Sequence, residues 1–462
     1  MTSFSRFTRF APAVLLLSAA GCSSFLEVSP KTEVPADKAI VDATSARAAA
    51  AGIYDALQSG SYYGVNYPAL LDLSGDDVIH TGTFSTFADA DNNVLTADNT
   101  TIRGIWDGIY DGINRANTII ARVPSISGLS DDERAQITGE AYFARALAYH
   151  DLVKVFGGPT PADLGVPIRT TPTTSIAETF GIARATVGAV YTQINSDLDQ
   201  AATLLTDNGL TRRASLGAVL ALRARVKLYQ KDYAAALAAA DAVIGSGIYQ
   251  LAPRYSDLFS ADGSDTPEDI FRLTFTPQDA NSIAYYYLSR SVGGRREIAP
   301  TTALRNLYET IDQRRAWNIS FDARGRRYGS KYPSPVGSED LHIIRLGEIY
   351  LIKAEAEANL NQLPQAVATL NVVRVRAGAT QYVFGTPGAT TQQEIIELVI
   401  KERRLELAYE GHRFADLVRL GIAIPVLSAF NGYAVDAAQA RYPIPQGEID
   451  VTGASLLQNP GY

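Results

Sequence analysis

The chain has 462 residues, 46% of them hydrophobic, with one cysteine and a formal net charge of -8. An acidic balance argues against a nucleic-acid partner, whose phosphates call for cations, and suits a neutral or cationic ligand. A single cysteine excludes an internal disulfide, so an exported form must rest on its core alone.

The N-terminus reads as an address. Arg6 and Arg9 precede an apolar run from Ala11 to Ala20 that ends in Leu17-Ser18-Ala19-Ala20-Gly21-Cys22. A bilayer-spanning helix needs roughly 20 apolar residues, twice this run, so residues 1–21 form an export signal and not an anchor. Small residues before Cys22 resemble a bacterial lipobox, in which the cysteine is acylated. Two or more acyl chains make a durable tether. The bland alternative is an ordinary secretory signal with an incidental cysteine. Residues 22–40, with Pro30 and Pro35, suit a spacer. Loss of residues 1–21 removes two arginines and no acids, taking the charge from -8 to -10.

Residues 41–259 are rich in helical pattern. Ser130 and Glu133 form a capping box before a helix through Ala144, Leu147 and Leu152, and Gly157-Gly158-Pro159 stop it with an expected left-handed cap. Trp106 shares helical spacing with Ile109, Tyr110 and Ile113, which places it in the core. Ala224, Tyr233 and Ala236 have the spacing of Ala354, Leu363 and Ala366. Each set straddles a polar turn (Gln230-Lys231-Asp232, then Asn361-Gln362), as in a tetratricopeptide repeat, although Lys227 and Glu357 stand where that repeat usually has an aromatic. Two unrelated Ala-rich hairpins would show the same spacing. Strand-like alternation is scarce outside Ile270 to Phe275. The expected fold is all-α: one body of tetratricopeptide-like helical pairs, an N-terminal region 41–259, and a C-terminal region 260–462 with a loop insert at about 260–340.

Two irregular stretches, Tyr62 to Thr101 and Ser260 to Asp340, are the places to seek a ligand, because long loops in a compact protein tend to be functional. A pyranose offers a C–H face to an aromatic ring and hydroxyls to planar polar groups. By that test the first stretch supplies Phe84, Phe87, Asn92 and Asn93. The second supplies Tyr285, Tyr286, Arg295, Arg296, Tyr328 and Tyr332, with Trp317 nearby. Ordinary loop packing is the alternative for each. Asp89 to Asn93 loosely matches a calcium loop, but Val94 stands where glycine is wanted, so a solvated loop is the preferred reading. His80, His150, His342 and His412 are scattered, with no HExxH, and read as surface or capping residues without a metal.

Thr391 and Glu394 open a further helix over Ile395 to Tyr409. Glu402, Glu406 and Glu410 then share one face at i,i+4 spacing, where like charges repel. Arg345, Arg374, Arg376 and Arg413 are the candidates to answer them, in an ion-pair lock against the second repeat-like pair. The rival reading is a glycosidase carboxylate pair.

Five motifs in chain order resemble the SusD/RagB family of outer-membrane nutrient-binding lipoproteins. They are Trp106 to Asn117, Glu140 to Pro161, Ile344 to Gly378, Glu402 to Leu417, and the final Tyr442-Pro443-Ile444-Pro445 with Gln458-Asn459-Pro460-Gly461-Tyr462. The resemblance implies tetratricopeptide-like pairs on one side and, on the other, loops with an exposed site for a glycan or a peptide. It also implies a SusC-like TonB-dependent transporter as partner, membrane contact through the lipid alone, no cofactor and no reaction. Display on the outer face is implied too, though only Glu27 is acidic just after Cys22, where many members have more acids. The rivals are a surface glycoside hydrolase and a protein-binding repeat adaptor of the outer membrane.

Overall fold

The computed structural model describes residues 39–207, 209–259, 265–452 and 455–462. Cys22, the export signal and nearly all of the spacer lie outside these residues.

Helix α1 (Ala43–Gln58) is followed by α2 (Asn66–Leu73), strand β1 (Val78–His80), α3 (Ser85–Asp91), and the long α4 (Thr100–Arg122) and α5 (Asp131–Phe156). The expected capping box opens α5: the Ser130 hydroxyl accepts the Glu133 N–H at 3.2 Å, and the Glu133 carboxylate accepts the Ser130 N–H at 3.2 Å. Its end differs from expectation, because Gly157 is extended (φ -78°, ψ 157°) and not left-handed. Close approach explains the glycines there instead. A Cβ on Gly157 would stand 2.5 Å from the Val153 carbonyl oxygen, and one on Gly158 would stand 2.4 Å from the Asp163 Cβ.

Next come α6 (Val187–Leu204), α7 (Leu216–Tyr229) and α8 (Tyr233–Gly245), and then an insert of short elements. These are β2 (Asp269–Leu273), α9 (Ile283–Tyr287), β3 (Ile298–Pro300), α10 (Thr302–Leu307), α11 (Gln313–Asn318), β4 (Ile319–Phe321), β5 (Arg327–Gly329) and β6 (Leu341–Arg345). The chain closes with α12 (Leu346–Asn359), α13 (Leu363–Arg376), α14 (Gln392–Glu406), α15 (Arg413–Arg419), α16 (Ala423–Asn431) and α17 (Gln446–Val451). Among the described residues, no helix is long and apolar enough to cross a membrane.

The fold is all-α, with neighbours stacked as successive hairpins: α1 on α4, α4 on α5, then α6, α7, α8, α12 and α13 in turn. Helix α5 is buried on every side from Ile137 onward, which makes it the central element. The two hairpins that echo in sequence are also alike in space. Ala224, Ala236, Ala354 and Ala366 are fully buried, as close helix approach requires. Lys231 and Asn361 both adopt left-handed backbone, at φ 59° and 61°. In each turn the following N–H reaches back five residues, Asp232 to Lys227 at 3.0 Å and Gln362 to Glu357 at 2.8 Å, the helix-ending closure of a Schellman motif. Trp106 is buried between Tyr110 and Phe156, its ring centre 4.9 and 5.0 Å from theirs.

Three antiparallel strand pairs form among the described residues: β1 with β3, β2 with β6, and β4 with β5. The segment expected as a solvated loop is helix α3. Its carboxylates are in use, Asp89 accepting from Asn99 at 3.1 Å and Asp91 from the His80 N–H at 3.0 Å.

Beneath the insert lies a buried ion network. Glu402 bonds Arg374 at 2.7 Å and Arg314 at 2.6 Å. Glu406 bonds Arg345 at 2.5 Å, Arg314 at 2.9 Å, and Arg376. Glu410 bonds Lys331 at 2.5 Å and Arg345 at 2.8 Å, while Glu268 bonds Arg345 at 3.0 Å and Arg376 at 2.7 Å. With Asp312 on Arg314 at 2.8 Å, five buried carboxylates face five cations, and the partly exposed Glu309 joins them at the rim through Arg374. Two expectations need correction. Helix α14 stops at Glu406, and Tyr409 turns left-handed at φ 66°, so Glu410 arrives from the turn and not from the helix face. That turn redirects Arg413 away from the network and onto Asp76, at 2.6 Å.

The histidines are not surface residues. His150 is fully buried, and the other three are partly buried. Both ring nitrogens of His342 meet acceptors, Asp269 at 2.5 Å and the Leu258 carbonyl at 2.6 Å.

Candidate functional site

Pairing of β1 with β3 sets Ile79 opposite Ala299 and His80 opposite Ile298, so the two irregular stretches of the sequence meet in space. Glu297 clamps them. Its carboxylate is fully buried and accepts the N–H groups of Thr83 and Phe84 at 2.6 Å each, His80 Nε2 at 3.0 Å, and Arg295 Nε at 2.7 Å. Burial pushes this carboxyl up, but the Phe84 N–H, His80 and Arg295 outweigh it and hold it below the usual range. Gly82 is required by the same contact, since a Cβ there would stand 2.1 Å from the Glu297 carboxylate.

On this clamp sits an aromatic platform. Phe84, Phe87 and Tyr286 pack edge to face, with centroids 5.6 to 5.8 Å apart, a geometry the ring quadrupole favours. Tyr285 lies 5.7 Å from Tyr286 and is 41% exposed. The Arg295 guanidinium covers the Phe84 ring at 4.1 Å, a cation–π contact. Beside the platform opens a cleft of about 430 Å³, walled by Thr81 to Thr83, by Arg290, Arg295 and Arg296, and by the turn 322–326 between β4 and β5. Arg296 is left-handed at φ 55° and donates to the Arg327 carbonyl at 2.8 Å, which ties the two walls together.

Of the residues expected from sequence to touch ligand, Phe84, Tyr285, Tyr286, Arg295 and Arg296 are gathered here. Phe87 is only 3% exposed and is the floor of the platform, not a contact. Asn92 is exposed, but its amide caps α3 through the Ala88 carbonyl at 2.7 Å. Asn93 is buried, donating to the Ser74 carbonyl at 3.1 Å and accepting from Asn431 at 2.8 Å. Tyr332 is also buried, its hydroxyl on the Tyr409 carbonyl at 3.3 Å, next to the ion network. Trp317 is half-buried, with its indole N–H given to the Lys331 carbonyl at 3.3 Å, and Tyr328 packs partly into the core from β5. Neither lines the cleft. Sequence reasoning did not single out Arg290, Arg324, Arg326 or Glu297. The arginine density of Asp322-Ala323-Arg324-Gly325-Arg326-Arg327 was the available signal.

Comparison with known proteins bears on this arrangement. Residues 323–462 match the model of the SusD family, and residues 24–228 match a family described as starch-binding and associating with the outer membrane. The chain is similar to SusD-like protein P38 of Formosa agariphila, 26% identical over 90% of this chain and 91% of that one. A crystal structure of a SusD superfamily protein from Bacteroides thetaiotaomicron superimposes with a TM-score of 0.78 at 27% identity, covering 91% of this chain and 100% of the other. A laminarin-binding SusD-like protein gives 0.78 at 26% identity, over 92% and 100%.

Proposed function

This chain belongs to the SusD/RagB family, and from that premise we propose that it captures an oligosaccharide on the loop platform and hands it to a TonB-dependent transporter. Residues 1–21 are the export signal, acylated Cys22 is the anchor in the outer membrane, and residues 22–40 are the tether. The observation that supports capture most directly is the platform: Tyr285 exposed beside Phe84 and Tyr286, next to a cleft lined by arginine guanidinium groups. A structural neighbour of the same fold is described as laminarin-binding, which favours a glycan over a peptide. Tethering raises the local concentration of guest at the transporter mouth without any new contact.

Catalysis finds little support in the carboxylates. Glu402, Glu406 and Glu410 are each bonded to buried cations, so none is free to act as acid or base on a glycosidic bond.

Titration calorimetry of the protein against an oligosaccharide panel tests the reading. At least one member should bind, and Tyr285→Ala and Phe84→Ala should each weaken that binding tenfold or more. No new reducing ends should form. A panel without any binder, or binding indifferent to both substitutions, would refute capture at this platform.

A further inference from the structure

The cleft beside the platform has a charge that the whole chain does not. Five arginines line it, Arg290, Arg295, Arg296, Arg324 and Arg326, against one lining carboxylate, Asp322. Asp322 is committed: it accepts the Arg326 side chain at 2.8 Å and the N–H groups of Arg324 and Arg326 at 2.9 Å each. Arg295 is matched by Glu297. Arg296 gives its Nε to a carbonyl and, among the described residues, forms no ion pair, with Asp322 acting on it only from a distance. The guanidinium groups of Arg290 and Arg324 have no partner among the described residues. Three cationic charges are therefore left unanswered around one opening, in a chain whose net charge is -8 and whose buried network is balanced.

The hydrogen-bonding capacity of the walls is equally one-sided. Guanidinium donates and never accepts. The Thr83 hydroxyl already accepts from Arg295 at 2.6 Å, while the Thr81 hydroxyl donates to the Arg296 carbonyl at 2.7 Å and keeps its acceptor lone pairs. A neutral sugar brings hydroxyls that need acceptors as well as donors, and among the lining side chains the N–H donors of the five guanidinium groups far outnumber the acceptors. Carboxylate and sulfate are acceptor-only, and their oxygens match the arginine fork. Burial, and then the neighbouring Arg326, push the Arg296 guanidinium down, which is the crowding an anion would relieve.

We infer that the captured glycan is anionic, its carboxylate or sulfate groups received by the unpaired arginines of this cleft while a ring face rests on the platform. The inference rests on the capture reading above. It also revises the expectation of a neutral or cationic ligand, which came from net charge. Local charge decides what a cleft accepts.

Calorimetry with three hexasaccharides tests this: oligogalacturonate for carboxylate, a carrageenan oligomer for sulfate, and laminarihexaose as the neutral arm. One anionic arm should bind at least tenfold more tightly than laminarihexaose, with affinity falling as salt rises, and the arm that binds identifies the group. Arg290→Gln with Arg324→Gln should weaken that arm tenfold or more. Arg122→Gln with Arg223→Gln removes the same charge from the helical side. Arg122 lies about 30 Å along α4 from its site-facing start, and the control pair should change affinity less than twofold. Equal losses in both pairs would mean diffuse attraction and overturn the inference. Laminarihexaose binding as well as both anions would also overturn it, yet leave capture standing if Tyr285→Ala abolished that binding. Silence in all three arms would overturn both.

Discussion

Glu410→Gln separates charge from shape in the buried network, because glutamine keeps the volume and one acceptor while losing the anion. Glu410 receives Lys331 at 2.5 Å and Arg345 twice, at 2.8 and 3.0 Å. Burial alone would push its carboxyl up, but Arg345 and then Lys331 overrule it and hold the group at about 2, against an ordinary value of 4.5. Holding the carboxyl there is worth about 3 kcal/mol at neutral pH, in line with the roughly 3 to 5 kcal/mol lost when one partner of a buried pair is removed. The sign follows from the depressed value. The contribution is complete above about pH 4.5 and fades as pH falls through about 2. Urea unfolding followed by circular dichroism should therefore show wild type about 3 kcal/mol more stable than the variant at pH 7, the gap closing steadily below about pH 4.5. The exposed pair Arg103–Asp107, at 3.5 Å, is the contrast: Asp107→Asn should cost less than about 1 kcal/mol. A Glu410→Gln gap of the same size at pH 3 as at pH 7 would mean that shape and not charge is lost. A gap no larger than that of Asp107→Asn would refute the network as a lock.

Gly82→Ala should drive its new methyl into the Glu297 carboxylate and loosen Thr83 and Phe84. The unmade buried hydrogen bonds cost about 1 to 3 kcal/mol, and calorimetry should show glycan affinity weakened at least tenfold. Lys231→Gly should stabilise the protein by about 1 kcal/mol, because Lys231 is left-handed at φ 59° and a side chain there is strained; a lowered urea midpoint would contradict this. For His342, burial pushes the imidazole down but Asp269 outweighs it, so its value is raised. A raised value gives stability that is complete below about pH 6.5 and lost as pH climbs through the folded value. Wild type should lose stability across that rise relative to His342→Gln, and parallel curves would exclude an imidazolium.

How much of the fold was legible follows from the range of the forces involved. The caps at Ser130 and Thr391 were readable because a capping box is local chemistry within four residues. The hairpin echo was readable because buried alanines mark helix contacts wherever the pattern repeats. The partners of the glutamates were only half readable. Spacing showed that Glu402 and Glu406 share a face needing cations, which Arg345, Arg374 and Arg376 supply. It could not show that Arg314 and Lys331 come from the insert, or that the turn at Tyr409 sends Arg413 to Asp76. Those contacts depend on where loops travel, and loop paths leave no period in the sequence.

The site was legible in type and not in orientation, and α9 shows why. Tyr285, Tyr286 and Tyr287 are consecutive on a helix, where each step turns the side chain by about 100°, so three identical residues must face three ways. Tyr285 is exposed, Tyr286 joins the platform, and Tyr287 is buried with its hydroxyl on Asp72 at 2.7 Å. A sequence reading that selects aromatics near arginines finds the right segment, but it cannot tell platform from floor. Net charge misleads in the same manner. It adds the balanced network, the exposed helical acids and the cleft into one number, although screening confines each charge to a neighbourhood of about 10 Å. What a ligand meets at the mouth of the cleft is Arg290, Arg296 and Arg324, whatever the sum over the rest of the chain.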